Sequence, residues 1–314
     1  MFLRAIETVA MMIILMAVGA FFCWKGWLKD EGDALVSNLV VKAAMPGLII
    51  SNMLSSYTRE SLISELPLVA PIFVAAGLCA LIGYFVCKLK IMRIPINRQG
   101  ALTSMFAFSN AVFIGYPVTR AVLGEEAIRF ATLYYLANTI LFWLIAAPLL
   151  MKDAGGGKVS PKRMIVGVLN APLVTLFLIL IMIMIGWTMP SFVMTAAASL
   201  GSLVTPLSMI FIGSMLYKVL KEGFKWERGF TQLIITRFVL FPLFTLLILA
   251  VFGVTGLARQ TFFLLAGMSC MTQTAIVAHS SGADGGYASM GVALTTVMLL
   301  VMLPLYALIL PMLA

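Results

Sequence analysis

Two short polar stretches interrupt an otherwise apolar chain. The first, Phe108-Ser109-Asn110-Ala111-Val112-Phe113-Ile114-Gly115-Tyr116-Pro117, carries an amide side chain ahead of a closely spaced glycine and proline. The second, Ser269-Cys270-Met271-Thr272-Gln273-Thr274, is a run of hydroxyl and amide side chains. Glycine and proline so close together end one helix and begin another, because proline suits a first helical turn and disrupts an interior. Unwound backbone deep in a membrane exposes N–H and C=O groups that are tolerable only against protein, ligand or water. Half-helices that begin there present positive dipole ends, which favour an anion. Asn110, Gly115, Pro117, Ser269, Thr272 and Gln273 are therefore the candidate substrate-binding residues, for a small anionic substrate. The plainer alternative is a packing kink at Gly115 and Pro117, with Asn110, Thr272 and Gln273 hydrogen-bonding between helices.

Two basic residues, Lys42 and Arg237, fall inside apolar stretches. Each can snorkel to the interface or balance a substrate's charge. Lys42 shares a helix face with Pro46, four residues on. Pro46 and Pro206 are expected to break their helices. Apart from Glu7, the acidic residues sit in connectors or at span ends, so no deep carboxylate proton relay is visible. His279, the only histidine, ends a span as an interfacial cap or, on the sharper alternative, as a proton-linked group. The cysteines Cys23, Cys79, Cys87 and Cys270 form no CxxC and have no histidine beside them, so neither a metal site nor a cofactor is expected. The chain lacks GxxxxGK[ST], HExxH and GxSxG, and Asp284 has no second carboxylate within the membrane. An enzyme and an ATP-driven pump are both disfavoured.

The elements that must position these residues are membrane helices. With 62% hydrophobic and 11% charged residues, the chain lies far from the roughly 45–50% and 25% of soluble domains. The apolar stretches divide into ten spans, approximately 5–24, 34–56, 66–87, 101–122, 127–151, 164–187, 191–217, 229–253, 260–280 and 288–311. All are expected to be helical, because the runs are too long and too uniformly apolar for barrel strands. Lys and Arg in the connectors, at the N-terminus and at the flanking span ends fall fourteen to five in favour of the odd-numbered connectors. That places the odd connectors in the cytoplasm and both termini outside, in a plasma (inner) membrane. The net charge of +9 therefore marks orientation, not nucleic acid. A glycine-containing connector, 152–163, separates a five-span half, 1–151, from a second, 164–314. Five is odd, so homologous halves must enter the membrane upside down, the plan of many secondary transporters. Pro46 and Pro206, and Asn110 and Gln273, each lie about 160 residues apart, as such a repeat requires.

Ten spans in a five-plus-five arrangement, the N-x-x-x-x-G-x-P of Asn110 to Pro117, the Pro46 span and the polar ninth span resemble the auxin efflux carrier family. Its prokaryotic members include malate or malonate permeases. The resemblance covers essentially the whole chain. It implies an all-α membrane fold of two inverted five-helix repeats, with helices 4 and 9 broken and crossing at the substrate site. It also implies elevator-type alternating access, frequently in a homodimer, and secondary active or facilitative transport of a mono- or dicarboxylate. Asn110 and Pro117 match the family's span 4 directly, and Lys42 resembles a lysine of plant relatives. In span 9, Ser269 and Gln273 stand where the family commonly has proline and asparagine. Span 3 lacks the acidic residue of some plant relatives, so the coupling ion, sodium or proton, stays open beside uniport and antiport. The alternatives are a sodium-coupled organic anion symporter of the bile-acid type and a non-transporting membrane sensor.

Overall fold

In the computed structural model, residues 2–89, 92–155 and 169–313 are described. Among them there is no strand, only an isolated antiparallel bridge between Ser109 and Cys270. Seven helices are long and apolar enough to cross a membrane. These are α1 (Phe2–Trp24), then α2 (Asp30–Ser56), α3 (Arg59–Lys88), α6 (Ala127–Asp153), α8 (Ser191–Glu222), α9 (Phe230–Val251) and α12 (Gly285–Leu313). Between them lie five shorter pieces: α4 (Gln99–Ala107), α5 (Ala111–Leu123) and α7 (Ala171–Ile185), α10 (Gly256–Ala266) and α11 (Gln273–Ser281). The connector 152–163 lies outside the described residues from position 156 on, as does the expected start of the sixth span.

Large apolar side chains such as Ile14, Leu81, Leu247 and Val301 stand exposed along the long helices. Trp24, Trp27, Trp187 and Trp226 are exposed near helix ends or in the turns between helices. This is the pattern of a lipid-facing wall with interfacial aromatic anchors. The protein is a multi-pass membrane protein.

Local chemistry sets the helix ends. Thr58 and Ser61 form a reciprocal capping box, which starts α3 inside the stretch 56–65 that reads as a loop from composition. Asn170 Oδ1 accepts the Leu173 N–H at 3.1 Å, and α7 stops at Gly186, whose φ of 72° is left-handed. Asp284 Oδ1 caps α12 at the Tyr287 N–H, 2.9 Å away.

Proline acts differently from expectation. Four five-residue π turns, Val40–Ala44, Ala111–Gly115, Phe142–Ala146 and Thr236–Leu240, occur among the described residues. Each is followed two residues later by a proline: Pro46, Pro117, Pro148 and Pro242. Proline offers no N–H and its ring presses on the carbonyl four residues back; a widened turn relieves both faults without ending the helix. The helix around Pro46 is thus widened and continuous from Asp30 to Ser56. Around Pro206 the helix is interrupted at Leu203, between Ser191–Ser202 and Val204–Glu222.

The helices pack as two groups. In one, α1 lies on the second half of α8, while α2 lies on the first half of α8 and on α7. Glycines allow backbone contact there: a Cβ on Gly19 would strike the Ile210 carbonyl, and one on Gly213 the Met16 carbonyl. Gly47 and Gly201 perform the same service between α2 and α8. In the other group, α3 packs on α4, α6 and α9, α10 packs on α6 and α9, and α11 packs on α12.

Candidate functional site

The second group holds two helices that are each cut in the middle. Residues 108–110 separate α4 from α5, and residues 267–272 separate α10 from α11. The two gaps are strapped together. Asn110 N–H donates to Ser269 C=O at 2.9 Å, and Met271 N–H donates to Phe108 C=O at 3.0 Å. Asn110 Nδ2 donates to Thr272 Oγ1 at 2.8 Å, while its Oδ1 caps α5 by accepting the Phe113 N–H. The hydroxyls of Ser104 and Thr274 meet at 2.7 Å.

Neighbouring helices supply what the gaps themselves cannot. Asn138, on α6, acts as a substitute strand for Ser109: its Oδ1 accepts the Ser109 N–H at 3.1 Å and its Nδ2 donates to the Ser109 C=O at 3.0 Å. Thr295, on α12, accepts the Cys270 N–H at 3.1 Å. Backbone groups that would cost several kcal/mol each if left bare in a hydrocarbon setting are thereby satisfied.

Arg237 is the largest fully buried side chain, with 0% exposure. Its snorkelling alternative is therefore excluded. The π turn in α9 carries it inward, where Nε donates to Met268 C=O at 2.7 Å, Nη1 to Phe106 C=O at 3.0 Å and Nη2 to Ala266 C=O at 3.1 Å. Nη2 also donates to Ser109 Oγ, which lies 2.9 Å from the Tyr134 hydroxyl. Phe106 and Ala266 belong to the last turns of α4 and α10. The guanidinium thus closes the carbonyl ends of both upstream half-helices. Arg237 forms no ion pair with a carboxylate among the described residues.

A cavity of about 170 Å³ opens on the other side of the gaps, room for roughly ten waters or one small solute. Asn110, Thr272 and Gln273 line it, with Ser109, Asn138 and Thr139. These residues include the starts of α5 and α11, where the first N–H groups lack intrahelical acceptors. Further along, the wall is formed by Val41, Tyr135, Trp143 and Asn170. Among the described residues, none that lines it is acidic or basic.

The remaining expected site residues lie elsewhere. The break falls at 108–110, upstream of Gly115 and Pro117, because the π turn absorbs Pro117 within α5. Gly115 is packed so closely on Leu265 that a Cβ would lie 2.6 Å from Leu265 Cδ2. Neither Gly115 nor Pro117 lines the cavity. Ser269 gives the crossing its carbonyl, while its hydroxyl is buried without a partner among the described residues. Lys42 is exposed and outside the cavity, although its neighbour Val41 lines it. His279 lies 3.3 Å from Ser289 Oγ, in a separate cleft with Asp33, Lys218, Glu222 and Lys225.

An ionic clasp ties the starts of α4, α9 and α12. Arg98 Nη1 meets Glu227 at 2.8 Å, its Nε meets Asp284 at 2.7 Å, and its guanidinium lies over the Tyr287 ring. Burial works against the charge of Arg98, but the two carboxylates outweigh it and hold its pKa above the usual value. Asn138, Tyr134, Thr295 and Ser109 are the site residues that motif reading misses. Their only signal is a polar side chain within an apolar span.

Residues 4–307 match the family model described as membrane transport protein. An uncharacterized transporter of Methanocaldococcus jannaschii is 25% identical over 309 residues, spanning 97% of this chain and 98% of that one. An uncharacterized transporter of Methanothermobacter thermautotrophicus is 26% identical over 313 residues, 98% and 99% of the two chains.

Proposed function

The chain belongs to the membrane transport protein family, that of the auxin efflux carriers, and on that premise we propose that it carries a small organic anion, a mono- or dicarboxylate, down or with an ion gradient. One observation carries the reading: two half-helix starts, at Asn110–Phe113 and Thr272–Gln273, share a single cavity. Each start has a macrodipole equivalent to about half a positive charge, which favours carboxylate oxygens there without a cationic side chain among the described lining residues. Asn110 and Thr272 hold the two starts together and offer side-chain contacts, and Gln273 offers an amide beside them.

In the same reading the chain crosses the membrane ten times as two inverted five-helix repeats. What supports this is the correspondence of parts: Ser109 held by Asn138, Cys270 held by Thr295, and paired positions about 160 residues apart. An elevator movement would carry the crossing against α1, α2, α7 and α8, with the contacts of α5 and α12 on α1 and α8 as the sliding face. The protein sits in the plasma membrane with both termini outside. The cavity's lining residues Val41, Trp143 and Asn170 fall towards the ends of spans 2, 5 and 6 that the charge count assigns to the cytoplasm, which supports access from that side.

The test is uptake into proteoliposomes of labelled mono- and dicarboxylates, with sodium, proton and voltage gradients imposed in turn. Uptake of at least one carboxylate is expected, with the KM raised tenfold or more in Asn110→Ala. Sodium-dependent uptake selects the symporter alternative; binding without flux selects the sensor. A folded Asn110→Ala protein that transports normally overturns the site.

A further inference from the structure

We propose that Arg237 sets the charge of the cargo: it gives the crossing a net charge of about one positive unit, so that the site selects a solute carrying a single negative charge. This deepens the carrier reading above and rests on it.

The count follows from the four half-helix ends that meet at the crossing. Each helix start contributes about +0.5 and each helix end about −0.5 of an elementary charge. The starts of α5 and α11 and the ends of α4 and α10 therefore cancel. Arg237 is then the uncancelled charge. Its guanidinium is a fixed cation, wholly buried, and the four hydrogen bonds it donates all go to neutral acceptors: the carbonyls of Phe106, Ala266 and Met268 and the hydroxyl of Ser109. Hydrogen bonds to carbonyls solvate a buried cation but leave its charge in place. The nearby ring of Phe241, 4.9 Å from Cζ, adds only a quadrupole.

Position makes that charge useful. Ser109 touches Arg237 through Oγ and also lines the cavity, so one residue separates the guanidinium from a bound solute. Arg237 does not itself line the cavity. It is a positioning and charge-setting residue, acting through Ser109 and the helix ends. A low-dielectric interior transmits this field with little screening. An occupant with charge −1 neutralises the centre, a neutral one leaves it at +1, and a dianion overshoots to −1 unless a cation enters with it.

The experiment compares matched solutes on the purified protein by equilibrium binding: propionate with propionamide, benzoate with benzamide, and malonate as the dianion, without sodium at neutral pH. The native protein is expected to bind at least one carboxylate tenfold or more tighter than its amide, and malonate more weakly than propionate. Arg237→Lys keeps the charge with fewer donors, so its melting temperature falls while the carboxylate-to-amide preference persists. Arg237→Gln, compared at equal folded fraction, loses that preference at least fivefold. A merely structural arginine lowers the stability of both variants and leaves the preference unchanged in both.

If Arg237→Gln does not fold, the native charge series decides: malonate binding tighter than propionate without a cation overturns the proposal. Native protein that binds no carboxylate, or binds amides equally well, overturns the carrier reading together with this one. Native preference for the carboxylate that survives in Arg237→Gln overturns the role of Arg237 alone.

Discussion

Asn138 offers the sharpest test of how the crossing is held. Its side chain makes two hydrogen bonds to one residue, from the Ser109 N–H at 3.1 Å and to the Ser109 C=O at 3.0 Å, and is 1% exposed. Asn138→Leu fills the space with an apolar group and strands both backbone atoms. At about 1–3 kcal/mol for each orphaned group, the loss is about 2–6 kcal/mol. Asn138→Ala leaves a gap, and because Asn138 borders the cavity, water can enter and rehydrate Ser109. The loss then falls towards the net worth of two hydrogen bonds, about 1–3 kcal/mol. At about 2–4 °C per kcal/mol for chains somewhat shorter than this one, alanine lowers the melting temperature by about 2–12 °C and leucine by more. Tryptophan fluorescence of the detergent-solubilised protein measures both. The order matters more than the size. If Asn138 served only to fill volume, leucine would be the better replacement. A leucine variant more stable than the alanine variant therefore refutes this account of Ser109.

Two other perturbations probe how the helices are held. Gly213→Ala drives a Cβ into the Met16 carbonyl, a backbone atom that cannot swing aside, so α1 and α8 must part at a cost of about 1–3 kcal/mol. The same change at Gly77, where a Cβ meets nothing within 4 Å, is expected to shift stability by no more than about 1 kcal/mol, and paired melting curves read the difference. Tyr306→Phe removes the hydroxyl that donates to Phe238 C=O at 2.7 Å. Pro242 has no N–H to give that carbonyl, so the variant loses about 1–3 kcal/mol, visible as faster amide exchange in α9.

The membrane class and most helix positions follow from composition, because the bilayer leaves so few backbone solutions. The polar stretches come together for the same reason: Asn110, Thr272 and Gln273 lie on one cavity. Gly115 and Pro117 mislead because a proline has two outcomes in a helix. It can stop the helix, or sit two residues past a π turn that makes room for it, and residue types alone do not separate these. Arg237 is harder still. Eight residues from a span end, an arginine can reach either the interface or the interior. What decides is a partner set of carbonyls at Phe106, Ala266 and Met268, created only when both gaps come together. The start of α3 was hidden by composition, since Thr58 and Ser61 look like loop residues until they cap each other.

The crossing explains why its ligand face is so sparsely functionalised. Each gap frees N–H and C=O groups, and the protein must satisfy them before any solute arrives. The carbonyl ends go to Arg237, the Ser109 backbone goes to Asn138, the Cys270 N–H goes to Thr295, and the two gaps pair with each other through Asn110, Ser269, Met271 and Phe108. What faces the cavity is the pair of helix starts with their dipole ends, some of whose N–H groups already go to Ser109, Asn110, Met271 and Thr272. A carrier needs that economy, because a site lined with strong fixed partners would hold its cargo too tightly to release it. In the proposed carrier, binding through dipole ends, backed by one buried charge at a distance of one residue, would give selectivity for charge while leaving few direct bonds to break.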